Sequence, residues 1–92
     1  MKHKDITIFY MVKKASDTPD MEKIIQLVMA YVQNNPIYFQ SEPTFVNNII
    51  MFGIVGYETD HNKLQKYLGS DLEKLGGNLS ILIKKELKNE NY

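Results

Sequence analysis

Only two histidines, His3 and His61, stand among the 92 residues, and there is no cysteine. Neither histidine has a second ligand three or four positions away, so the spacing predicts no metal site. His61 follows Glu58 and Asp60, and an imidazole flanked by carboxylates could carry protons. Both acids, however, fall at a strand end and a helix start, where acids commonly serve structure. The expectation is therefore two exposed histidines, no catalytic group and no cofactor. Gly53 and Gly56 lie in an apolar run, where a glycine marks a bend or the close approach of another group. Gly76-Gly77 has no phosphate-loop spacing around it and reads as a helix stop. Tyr31 and Tyr67 fall on helical stripes and are expected in the core with hydroxyls at the rim.

Composition narrows the function further. A chain of 92 residues, 43% hydrophobic, supports one small domain spanning 1–92, with 1–4 and 88–92 expected to be flexible ends. A core this small gives modest stability unless the chain oligomerises. The basic start is not followed by an apolar leader, and no run approaches membrane-spanning length, so a cytoplasmic protein with no membrane partner is expected. Eleven basic residues balance eleven acidic ones, and every basic residue is lysine. Arginine supplies the planar fork for phosphate and guanine, so its absence disfavours nucleic acid as a partner.

These groups must be positioned by six elements. Residues 5–14 alternate as a strand, with Ile6, Ile8, Tyr10 and Val12 against Thr7, Phe9 and Met11. Thr18, Pro19, Asp20 and Glu22 suit the start of a helix whose stripe is Met21, Ile24, Ile25, Val28, Tyr31 and Val32. It stops before Pro36. Residues 37–46 are rich in strand formers, but Pro43 makes them an edge strand, a bulged one or two short pieces. Asn47-Asn48 suits a tight hairpin turn. A strand over 49–58 follows. Thr59 or Asp60 then caps a second helix with Leu64, Tyr67, Leu68, Leu72 and Leu75 on its buried stripe, continuous across Gly69. The final strand alternates Leu79, Ile81 and Ile83 with Ser80, Leu82 and Lys84. The order β-α-β-β-α-β predicts an α+β fold of the ferredoxin-like split βαβ type: a four-stranded antiparallel sheet with two helices on one face.

The other face of such a sheet is polar in a monomer. Here it is predicted to carry Phe9, Met11 and Leu82. From the third strand, either Met51, Gly53, Val55 and Tyr57 or Phe52, Ile54 and Gly56 join them. Phe52 and Ile54 are taken with Phe9, Met11 and Leu82 as the candidate contact face. Apolar patches of this kind mark an interface or a ligand site. Three functions compete. The first is a small non-enzymatic binding or regulatory domain, acting as a homo-oligomer or on another protein. The second is a dimeric α/β-barrel enzyme holding a small apolar or aromatic substrate. The third is a single-stranded RNA binder. Ile50 to Tyr57 resembles part of the RNA-recognition-motif pattern at Phe52, Gly53, Val55 and Tyr57. It lacks the leading basic residue and glycine, and has Ile54 where a stacking ring belongs.

Overall fold

The computed structural model describes residues 6–14 and 20–86. His3, Thr18 and Pro19, with the expected flexible ends, lie outside the described residues. Strand β1 (Ile6–Lys14) leads to helix α1 (Met21–Gln33), then to strands β2 (Tyr38–Val46) and β3 (Ile49–Gly56). Helix α2 (Glu58–Lys63), a π-helical turn (Leu64–Leu68) and helix α3 (Gly69–Lys74) run end to end as one second helix, and β4 (Gly77–Glu86) follows. The four strands form one antiparallel sheet in the order β2-β3-β1-β4. The fold is α+β, and both helices bury their apolar stripes against the same face of the sheet.

Local chemistry sets the boundaries. Asp20 caps α1, its side chain accepting from the Lys23 N–H at 3.1 Å. At the other end the Asn34 and Asn35 side chains donate to the Ala30 and Tyr31 carbonyls, reinforcing the Asn34 backbone N–H that already reaches both. The second helix begins two or three residues earlier than the sequence suggests. Tyr57 is its N-cap, and the Asp60 carboxylate accepts from the Tyr57 N–H at 3.2 Å. Asn47 and Asn48 both have positive φ, 52° and 66°, as a two-residue hairpin turn requires. β2 is a single edge strand, with register shifts on either side of Ser41 that take up Pro43.

The core is an alternation matched to two stripes. Ile6, Ile8, Tyr10 and Val12 of β1 meet Ile50, Phe52 and Ile54 of β3 under Ile24, Val28 and Val32 of α1 and Leu64, Leu68 and Leu72 of the second helix. Tyr10 pairs with Phe52 across the strands, their rings stacked at 5.6 Å, and Phe39 meets Phe52 edge-on at 6.4 Å. Each such aromatic pair adds about 0.5–1.5 kcal/mol beyond burial.

Two of the expected contact-face positions are corrected here. Phe52 and Ile54 are fully buried beneath the helices, because their cross-strand partners Tyr10 and Ile8 belong to the core set. The other phase of β3 therefore lies opposite, with Met51, Gly53 and Val55 beside Met11, Phe9 and Thr7. Leu82 is the extra residue of a β-bulge: Ile81 stands opposite Tyr10 and Ile83 opposite Phe9. The bulge shifts the alternation, so Ile83 stands beside Phe9 on the helix-free face, with Leu82 exposed next to it.

Gly77 starts β4 against Val12 of the sheet and Ile24 of α1. A Cβ there would fall 2.8 Å from Val12 Cγ1 and 2.9 Å from Ile24 Cδ1. Gly77→Ala is expected to destabilise the fold by about 1–3 kcal/mol through overpacking, read as a lower urea midpoint; an unchanged midpoint would contradict this packing.

Candidate functional site

One polar cluster sits inside the core. His61, on the first turn of the second helix, is only 2% exposed. Its Nε2 lies 2.8 Å from the Ile6 carbonyl, and its Nδ1 lies 2.8 Å from the Tyr10 hydroxyl. A carbonyl can only accept, so Nε2 carries the proton and Nδ1 is the bare acceptor. Tyr10 therefore donates to His61, and the Gln65 amide donates to the Tyr10 oxygen at 3.3 Å. The direction of the whole chain, Gln65 to Tyr10 to His61 to Ile6, follows from its last member.

This network fixes protonation. Burial pushes the His61 pKa down against the opposing influence of the Ile6 carbonyl and Asp60, with Lys84 adding to the depression. Burial likewise pushes Tyr10 up to about 12, only partly offset by Gln65. Both groups are neutral through the physiological range. Their shifts move them away from the region in which a general acid or base works best, and the His61 lone pair is already occupied.

A cavity of about 420 Å³ opens beside this cluster, between the second helix and β4, with Tyr10 at its floor. Gln65, Lys66, Gly69, Ser70 and Glu73 line the helix side, and Asn78 to Ile81 line the strand side. The π-helical turn carries Gln65 and Lys66. Such turns concentrate at functional positions because they re-aim side chains at a cost in helix stability.

The helix-free face of the sheet is the second candidate surface. Phe9 and Met11 lie there as expected from sequence, both partly exposed. The Phe9 ring covers Gly53: a Cβ on Gly53 would fall 2.8 Å from Phe9 Cε2. The close approach foreseen at this glycine is thus made by a neighbouring strand. Met51, Ile83 and Tyr38 extend the patch, at 36%, 49% and 60% exposure. Phe52, the ring that the RNA-recognition pattern offers for stacking, is on the opposite side, under the helices.

Sequence reasoning missed His61 and Gln65. The signal was present for His61: His61, Leu64, Leu68 and Leu72 recur at helical spacing, so the histidine continues the buried stripe. Tyr67, expected in that stripe, is 55% exposed, with the Lys66 ammonium 5.6 Å from its ring centroid. Among the described residues no three His, Cys, Asp or Glu side chains cluster to hold a metal ion, and no helix is long and apolar enough to cross a membrane. The chain matches no family model, no curated protein and no solved structure.

Two outcomes follow from the network. The unfolded chain takes up a proton near pH 6.5 that folded His61 refuses. Stability is therefore fully present above about pH 6.5 and falls as pH drops, by up to about 1.4 kcal/mol per unit until His61 itself protonates. Urea midpoints from pH 8 to 5 test this, and a midpoint independent of pH would contradict it. Tyr10→Phe leaves Nδ1 buried without a donor and should lower stability by about 1–3 kcal/mol; a neutral effect would place the hydroxyl outside the network.

Proposed function

We propose that this protein is a small non-enzymatic binding or regulatory domain with ferredoxin-like topology, working as a homodimer through the helix-free face of its sheet. The observation that carries this reading is the composition of that face: Phe9, Met11, Met51, Val55 and Ile83 occupy it in adjoining register. Four strands at ~4.8 Å spacing, each with about eight residues at ~3.3 Å, give the whole face on the order of 500 Å²; these apolar residues form its middle, with Thr7, Thr44 and Ser80 beside them, and contiguous exposed apolar surface marks a contact. A second copy is the partner favoured by charge. The face has no charged side chain at its centre, Lys13 and Lys85 stand at its ends in the β1 and β4 register, and the chain's formal net charge is zero. A flat uncharged patch is self-complementary about a two-fold axis, and two neutral chains approach without long-range repulsion.

The enzyme reading has one observation in its favour, the hydrogen bond between His61 and Tyr10, of which Tyr10 lines the cavity. Burial of both residues and the directions of their pKa shifts weigh against it.

Light scattering or sedimentation equilibrium tests the dimer. The parent chain is expected at twice the mass of one chain, and Met51→Lys at the mass of one, with its unfolding transition retained. A monomeric parent at high micromolar concentration would sink the proposal. A dimer that survives Met51→Lys but is lost in Leu82→Lys would move the contact to the β4 edge and overturn the face assignment.

A further inference from the structure

We infer that the cavity between the second helix and β4 binds a small zwitterion with separated charges, of the length of a dipeptide. The site is on the helix side of the sheet, so it stands or falls independently of the dimer face. Its volume, about 420 Å³, lies in the range of ligand cavities. Its lining contains one cation, Lys66, and one anion, Glu73, with Ser70 and Gln65 on the helix side and Leu79 and Ile81 on the strand side, where Asn78 and Ser80, paired with Lys13 and Met11, contribute backbone. The ion pair found among the described residues joins Lys74 to Asp71, and neither cavity charge takes part in it; the Lys66 ammonium lies 5.6 Å from the centroid of the exposed Tyr67 ring, a contact it gives up to meet a carboxylate in the cavity. Lys66 and Glu73 lie seven positions apart on one helix, about 10 Å along its axis. An extended dipeptide spans ~7 Å, which these two long side chains bracket once they reach inward, carboxylate toward Lys66 and ammonium toward Glu73. A single α-amino acid has its two charges too close together to engage both.

The helix itself supplies a second, independent observation. Gly69 has ordinary helical backbone angles, φ −58° and ψ −43°, so no turn demands a glycine there. A Cβ would meet only Leu79 Cδ2, at a comfortable 3.7 Å. Glycine at such a position weakens a helix relative to alanine. What it provides is open volume over Leu79, at the middle of the cavity lining. The π-helical turn lies immediately before it. The two departures from regular helix thus adjoin one another and border the same space.

Calorimetric titration of the full chain with alanyl-alanine, its N-acetyl form, its C-terminal amide and free alanine tests the assignment. Saturable binding of the unblocked dipeptide is expected. Each single block should weaken it at least about tenfold, the scale of one lost charged hydrogen bond. In Lys66→Ala the dipeptide and its amide should bind alike. In Glu73→Gln the dipeptide and its N-acetyl form should bind alike. Gly69→Leu should abolish binding, whereas Gly69→Ala should raise the melting temperature and so report that the position tolerates a side chain. No binding of alanyl-alanine at millimolar concentration, equal binding of the blocked forms, or tighter binding of free alanine would each overturn the proposal. If Gly69→Leu fails to fold, the paired block experiments on Lys66 and Glu73 decide alone.

Discussion

The structure turns on a buried imidazole that must stay neutral. His61 is held between a backbone carbonyl of β1 and a phenol from the same strand, so it fastens the start of the second helix to that central strand. A buried polar group without partners costs more than its hydrogen bonds return. Here both ring nitrogens and the phenol oxygen are engaged, and the network is complete only with the helix in one position and one rotation. Sliding the helix by a residue would leave three polar groups stranded in a core of isoleucine, valine, leucine and phenylalanine. Shape alone tolerates several packings of an aliphatic stripe; this network selects one of them.

The same constraint explains where the second helix is irregular. Its first turn is tied down by His61, and its last turn closes onto β4 through Gly76, whose φ of 84° is the left-handed conformation of a helix end. Between two fixed ends the π-helical turn takes up one extra residue while Leu64, Leu68 and Leu72 all remain buried. Gln65, the first residue after the leading leucine of that turn, reaches the Tyr10 oxygen. The cavity then opens where helix and strand separate beyond this contact, so fold and candidate ligand site share one cause.

Much of the architecture was legible in the sequence. The six elements, the asparagine hairpin and the core phase of β1 follow from periodicity and turn chemistry that neighbours do not override. Phe9 and Met11 were placed correctly because β1 alternates without interruption. Phe52 and Ile54 were not, because both phases of β3 are apolar and only pairing with Tyr10 and Ile8 chooses between them. The place of Ile83 beside Phe9 has no sequence signal, because a bulge is invisible to a strict two-residue period. His61 was read as exposed because histidine is commonly a surface residue, although its place three positions before Leu64 continued the stripe. A buried tyrosine at position 10 also called for a hydrogen-bond partner, and the histidine was the available answer. The cavity had no signature in the sequence, since its opposed charges come from one helix and its neutral wall from a strand that pairs elsewhere.

The central claim is the protonation and direction of the Tyr10–His61–Ile6 chain. Long-range nitrogen–proton correlation spectra of the imidazole, recorded at neutral pH, test it most directly. The account predicts a His61 ring in the single Nε2–H tautomer, with an Nδ1 shift characteristic of an unprotonated, hydrogen-bonded nitrogen. An imidazolium pattern, or a rapidly exchanging mixture of both tautomers, would show that the buried connection between β1 and the second helix is not the one described.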